Sequence, residues 1–309
     1  MHNSRQRPQP PHLSAATGRD ATRREPSPPP ALGRTPAART PGAAVLGVYL
    51  RELRVQSGLT STEAARQAHC RPGEVDALEG ADPAGTGVHD VLPGLLALYG
   101  ARHPGHGALD ALLSFRNRAE DRGPGWEDRL AALDRGALVR SYSPVTVPAA
   151  LRTPELAAVT GYGPGRGSDP HRQAWLSARR EGRAVPVTFV GTKVLRHDPC
   201  VRPEVMARQF DHLAALVANG NAHIRVVQQE EACPDFVAVH EFKAMHQVLY
   251  AVEGAALAEY HASGTLTAAA FRSLFETLAE QALTPAGSYG ALAGAAARFR
   301  RQCRAGAVA

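Results

Sequence analysis

From Ala44 to Ser57 the apolar residues Leu46, Tyr49, Leu50 and Leu53 recur at three- and four-residue intervals. That period predicts a helix with one buried face. Gly58 stops it. Thr60-Ser-Thr-Glu63 has the form of a capping box, in which the hydroxyl serves the Glu63 amide and the carboxylate reaches back. A second helix through Ala68 follows from it. Arg71 then leads into Pro72, which suits a first helical position because its missing amide would be unbonded there anyway. Val75 and Leu78 give a third helix its inward face, and Gly80-Ala-Asp-Pro-Ala-Gly85 ends it. Val91, Leu92, Leu95, Leu96 and Tyr99 mark a fourth helix. Leu109, Leu112, Leu113 and Arg116 outline a fifth, running to Glu120. Residues 44–122 therefore read as a five-helix domain, closed by Gly123-Pro-Gly125.

Beyond Leu130 the pattern changes. Strand-like runs rich in Val and Phe lie at Val185–Val190, His223–Gln228, Phe236–Phe242 and Gln247–Val252. Helical runs lie at Pro203–Ala218, with Val205, Phe210, Leu213, Leu216 and Val217 inward, and at Ala268–Leu283, with Phe271, Leu274, Phe275 and Leu278 inward. Residues 130–304 read as an α+β domain. Three of the strand runs are consecutive, which favours an antiparallel or mixed sheet with helices on one side.

Residues 1–43 consist of Pro, Arg, Ala, Ser and Thr with almost no large apolar side chain. Such a segment buries too little surface to offset its ordering entropy, so a disordered tail is expected. The tail also changes the meaning of the net charge of +6. Seven arginines face two acids there, so all but one of the six net charges belong to it. A nearly neutral body behind a basic arm argues for an arm able to touch phosphates, and not for a basic protein surface. Arginine richness is weak evidence in any case, because Lys193 and Lys243 are the only lysines, as in the products of GC-rich genomes. The four cysteines, Cys70, Cys200, Cys233 and Cys303, are widely spaced and read as free thiols in a reducing cytoplasm. Neither a signal peptide nor a membrane span is visible in the apolar pattern.

Leu46–Glu79 resembles an Xre-type helix-turn-helix. The stretch Leu138-Val-Arg-Ser-Tyr-Ser-Pro-Val-Thr-Val-Pro-Ala-Ala-Leu-Arg-Thr-Pro-Glu-Leu-Ala157 resembles the opening of a domain of unknown function that follows such a helix-turn-helix in actinobacteria. Pro144, Val147, Pro148, Leu151, Thr153 and Pro154 match that opening, while Ser143, Ala149, Ala150 and Arg152 depart from it. Arg202-Pro-Glu-Val-Met206 and Val248-Leu-Tyr-Ala-Val-Glu-Gly254 extend the similarity, as does the tail helix ending in Ala282-Leu-Thr-Pro285. The resemblance implies an antitoxin-like transcriptional regulator that binds DNA and meets a small acidic partner protein; a homodimer is expected because such helices normally need two half-sites.

The same resemblance places the family's polar third-helix start on Arg71, Pro72, Gly73, Glu74, Val75, Asp76 and Ala77. Direct readout in the major groove uses amides, hydroxyls and guanidiniums. Pro72, Gly73 and Ala77 offer no side-chain donor. Glu74 and Asp76 accept from a cytosine amine but repel phosphates. Four arginines stand against five acids over residues 44–81, whereas a DNA-binding face usually carries a basic excess. The DNA-contact residues expected are Arg54, Ser61, Thr62, Arg66, Arg71 and Glu74, with the amino end of the second helix as an anion site. Each also has an ordinary structural reading, as a solvated arginine or a cap, and Glu74 at N3 suits the helix dipole.

Gly161-Tyr-Gly-Pro-Gly-Arg-Gly167 lacks the preceding strand and following Lys-Ser or Lys-Thr of a phosphate cradle and reads as a loop. His103-Pro-Gly-His106 has metal-like spacing without accompanying ligands. His240, Glu241 and His246 fall on or beside strand positions, where a solvated sheet face is expected. No nucleophile, base and orienting residue assemble from spacing, so no enzyme activity, metal or cofactor is expected. The expectation is a cytoplasmic DNA-binding regulator whose second domain dimerises or binds a partner or ligand. The alternative is an interaction module whose degenerate helix-turn-helix no longer reads DNA.

Overall fold

The structure is a computed structural model that describes residues 40–82, 88–100, 105–123, 125–160, 185–196, 201–228, 236–244 and 247–306. The Gly161–Gly167 loop, His103, His246, Cys200, Cys233 and residues 1–39 lie outside the described residues, as does the His106 side chain. Cys70 and Cys303 are free thiols.

Helix α1 (Pro41–Gln56) begins three residues before its apolar period does. Thr40 caps it, its hydroxyl accepting from the Ala43 amide at 3.1 Å, and Pro41 takes the first helical position. Gly42 and Ala43 are buried. Thr40–Ala43 thus belong to the fold and not to the expected tail. Both arms of the predicted capping box form at α2 (Ser61–Gln67): the Glu63 amide donates to the Thr60 hydroxyl at 3.2 Å and the Thr60 amide to the Glu63 carboxylate at 2.8 Å. Helix α3 (Pro72–Glu79) follows, then α4 (Val88–Leu98) and α5 (Gly105–Arg116). Leu46 and Leu50 of α1, Ala64 and Ala65 of α2, Val75 of α3 and Leu92, Leu95 and Leu96 of α4 form one core.

Helix α5 stops at Arg116 and not at Glu120, because Glu120–Asp121 is a short strand, β1, on the edge of a sheet. Asp121 is fully buried and takes a two-pronged ion pair from Arg129, at 2.7 and 2.6 Å. Removing either partner of such a pair strands a buried charge, at about 3–5 kcal/mol. The pair pins β1 to α6 (Trp126–Ala137).

The rest of the chain runs β2 (Leu138–Ser143), α7 (Pro154–Val159), β3 (Val187–Gly191), α8 (Pro203–Ala218), β4 (His223–Val227), β5 (Ala238–Ala244), β6 (Gln247–Glu253), β7 (Ala258–Ala262), α9 (Leu266–Gln281) and α10 (Pro285–Gly306). The strands form a seven-stranded mixed sheet in the order β1-β7-β6-β5-β2-β3-β4. β2, β3 and β4 are parallel, with α8 in the β3–β4 crossover, and the remaining neighbours are antiparallel.

Helices cover both faces of the sheet, which corrects the expectation of one. Strand side chains alternate between faces. Tyr142, Phe189, Val239 and Tyr250 share one face and pack with Phe275 and Leu278 of α9. On the opposite face Val190, Ile224 and Val226 pack with α8 and α10, and Phe242, Leu249, Ala251 and Tyr260 pack with α1 and α6. The near-continuous burial along β5, and through the middle of β6, demands this, since side chains on both faces need cover.

Residues 38–309 form one compact unit. Helix α1 explains why: its first turns, Ala43, Ala44 and Val45, join the sheet's core, while Leu46 and Leu50 join the core of α2–α4. Among the described residues no helix is long and apolar enough to cross a membrane.

Candidate functional site

Two regions concentrate polar side chains: the exposed side of α2 and α3, and a cavity over the sheet.

In the first, Ala68–Arg71 joins two short helices whose apolar sides face inward, and Thr62, Arg66 and Arg71 are exposed on them while Ser61 is half-buried. Arg54 is placed otherwise. Its Nε and Nη2 donate to the Glu79 carboxylate at 2.6 and 2.8 Å, and Nη1 donates to the Leu59 carbonyl at 2.8 Å. The guanidinium ties the end of α1 to the turn and to α3. Glu74 also turns inward on its own helix, accepting from the Arg71 amide at 2.7 Å. That cap places a negative charge at the positive end of α3. Of the six expected contact residues, then, the structure brings Thr62, Arg66 and Arg71 to the surface and gives Arg54 and Glu74 structural partners.

Of the second region, the sequence singles out His240 alone. A cavity of about 60 Å³ opens over β2, β5 and β6, between the part of the sheet covered by α6 and the part covered by α8 and α10. Trp126, Leu130 and Asp134 line it from α6 at four-residue spacing, one face of that helix. Ser141 of β2 stands directly opposite His240 of β5, and Ala238 opposite Glu253 of β6, so the sheet presents these side chains in adjacent rows. Ser143, Thr146 and Arg152 frame the carboxyl end of β2. That end is held close to β3, because Gly191 lets the Pro144 carbonyl approach where a Cβ would lie 2.4 Å from it.

His240 was expected on a solvated face and is only 7 % exposed. Its side shares parity with Phe242, on which its ring stacks at 5.8 Å. Nε2 lies 3.2 Å from a Glu253 oxygen. Nδ1 is buried without a hydrogen-bond partner, its nearest carboxylate oxygen being that of Asp134 at 3.9 Å, beyond hydrogen-bonding range. Burial pushes the imidazole toward its neutral form, and the hydrogen bond to Glu253 and the charges of Asp134 and Glu253 outweigh it, so its pKa is raised. Glu241 is buried on the other face and pairs with Arg140 at 2.6 Å. The Ser141 hydroxyl is 3.0 Å from that of Thr188. Arg152 is 6 % exposed and donates from Nε to the Val147 carbonyl at 2.8 Å. The Thr146 hydroxyl is buried without a hydrogen-bond partner. Among the described residues no three His, Cys, Asp or Glu side chains converge as a metal ion requires.

The sequence signal for this site was slight. Its residues come from two well-separated segments, 126–152 and 237–255, and only the inward parity of His240 with Ala238 and Phe242 marks a polar group in a buried row.

The architecture is thus a helical amino-terminal part joined through α1 and α6 to a mixed sheet with a polar cavity. Residues 128–294, more than half of the chain, match the family described as a domain of unknown function (DUF5753), and the chain belongs to that family. No curated protein and no solved structure matches the chain.

Proposed function

We propose that the chain is a cytoplasmic DNA-binding transcriptional regulator of the antitoxin-like Xre type, acting as a homodimer, with the sheet-containing part serving partner or ligand binding. One observation carries the reading. Two short helices joined by a four-residue turn bury Ala64, Ala65, Val75 and Leu78 and leave Thr62, Arg66 and Arg71 exposed together with the capped start of α2. A helix-turn-helix of this kind sets its second helix in the major groove while side chains at the start of the first hold phosphates. A dimer supplies two half-sites.

The second reading, a protein-docking module, is favoured by α3. Its exposed positions Arg71, Pro72, Gly73 and Asp76 offer one donor side chain, and bidentate base recognition needs more than that.

Selection from random duplexes, followed by affinity against salt, separates the two. The regulator reading expects a preferred sequence, bound equally well by the full chain and by a chain beginning at Ala38, where the compact unit starts. Arg66→Ala and Arg71→Ala each lower the salt slope by about 1 if their guanidiniums meet phosphates. Binding that disappears with residues 1–37, or that shows salt dependence without sequence preference, transfers the assignment to the docking module.

A further inference from the structure

The cavity over β2, β5 and β6 is independent of whether α2 and α3 meet DNA. Its polar groups are mostly acceptors. Glu127 and Asp134 reach it from α6, Glu253 from β6, and the hydroxyls of Ser141, Ser143 and Thr146 from β2 and the loop after it. Arg152 is the one arginine among the lining residues, and His240 sits between Asp134 and Glu253. Trp126 and Leu130 add an apolar wall. Most telling is His240 Nδ1, a ring nitrogen in a side chain more than nine-tenths buried, lining an open space and bonded to nothing. An imidazole whose proton sits on Nε2, toward Glu253, presents a lone pair at Nδ1. A donor with several hydrogens reaches that lone pair and the buried Oδ1 of Asp134, 3.9 Å from it, at once.

We propose that this cavity is the binding site of a small organic cation, a primary ammonium with a short apolar body. The ammonium donates to Asp134 Oδ1 and to His240 Nδ1, and the apolar body lies along Trp126 and Leu130. At about 60 Å³ the space exceeds the ~10–15 Å³ that one water needs several-fold, enough for a small metabolite and not for a peptide side chain with its backbone. Binding also has a proton signature. The hydrogen bond to Glu253 and the charges of Asp134 and Glu253 favour the charged imidazole against its burial, and Glu127 and Arg152 are the other charged groups that line the space. An ammonium brings the compensating charge itself and needs Nδ1 as an acceptor, so the imidazolium proton leaves as the ligand enters.

The test is calorimetric titration and thermal shift of the full chain with primary ammonium chlorides from methylammonium to propylammonium, each beside its carboxylate and alcohol counterpart. The ammonium series is expected to bind and to raise the melting temperature, with affinity increasing as pH rises and with a binding enthalpy that changes with the buffer's ionisation enthalpy, the mark of a released proton. Asp134→Asn weakens binding about tenfold or more, as loss of a charge-assisted hydrogen bond does. Ala149→Leu, which fills the cavity from the short turn after β2, removes binding while the unliganded protein still melts cooperatively. No binding by any ammonium, stronger binding by the carboxylates or alcohols, or binding that survives Ala149→Leu each overturns the assignment.

Discussion

At the scale of single residues, His240 is the group whose surroundings give it the sharpest measurable consequence. Its carboxylate neighbours, Asp134 and Glu253, raise its pKa above the ordinary imidazole range against the opposing effect of burial. A proton held more tightly in the folded than in the unfolded chain stabilises the fold. The contribution is fully present below the unfolded value of about 6.5 and is lost as pH rises through the higher folded value. Without added ligand the melting temperature should therefore fall as pH climbs above about 6.5, and the His240→Gln variant should lose most of that slope. An unchanged slope in the variant would place the titrating group elsewhere. The contrast with Arg54 is instructive. The sequence allowed a solvated setting for both, yet the role of Arg54 is settled within the helices, by Glu79 and the Leu59 carbonyl. That of His240 depends on partners from α6 and β6.

At the scale of elements, the helices with caps and clean apolar stripes were legible and those with inward charges were not. Thr60 to Glu63 and the apolar face of α8 fixed two helices from spacing alone, and the Val-rich runs located β3 to β6 within two residues or so. Helix α6 hid because Arg129 and Asp134, both turned inward, interrupt its stripe of Trp126, Leu130 and Leu133. Strand β2 hid because Arg140 and Ser141 look solvated, and their partners, Glu241 and Thr188, lie on other strands. Helix α10 hid behind an Ala- and Gly-rich start, although Thr284, whose hydroxyl accepts from the Gly287 amide, and Pro285 signal it. The amino end of α1 hid in a Pro- and Ala-rich stretch, yet it is tightly fitted. A Cβ on Gly42 would lie 2.1 Å from the Phe115 carbonyl oxygen and 2.6 Å from that of Arg118. Neither oxygen moves without unseating the end of α5. Gly42→Ala should then lower the urea midpoint, by about 1–3 kcal/mol of stability. Gly73→Ala, on α3 with nothing within 4 Å, should hold or raise it. Equal effects at the two positions would show that the close approach at Gly42 is not what holds α1 in place.

At the scale of the whole molecule, α1 decides how the parts behave together. Its first turns are buried against α6 and the sheet, and Glu52 further along accepts from Arg135 of α6 at 2.9 Å. Leu46 and Leu50 on the same helix form the centre of the core with α2, α3 and α4. Helix α1 therefore cannot leave one core without opening the other, and α6, which carries Asp134 into the cavity on one side, lies against it on another. Any adjustment of α6 on filling the cavity reaches α1 directly. The coupling is testable through stability. Leu50→Ala removes a fully buried side chain from the helical core, at about 2–5 kcal/mol. Because the shared helix links the cores, native-state hydrogen exchange should show β6 amides losing the same opening free energy as amides of α1 and α4. Calorimetry of the full chain should show one transition, with calorimetric and van't Hoff enthalpies in a ratio of about 1. Protection lost in α1 and α4 but retained in β6 would mean that the two cores open independently, and that α6 transmits nothing from the cavity to the helices that face outward.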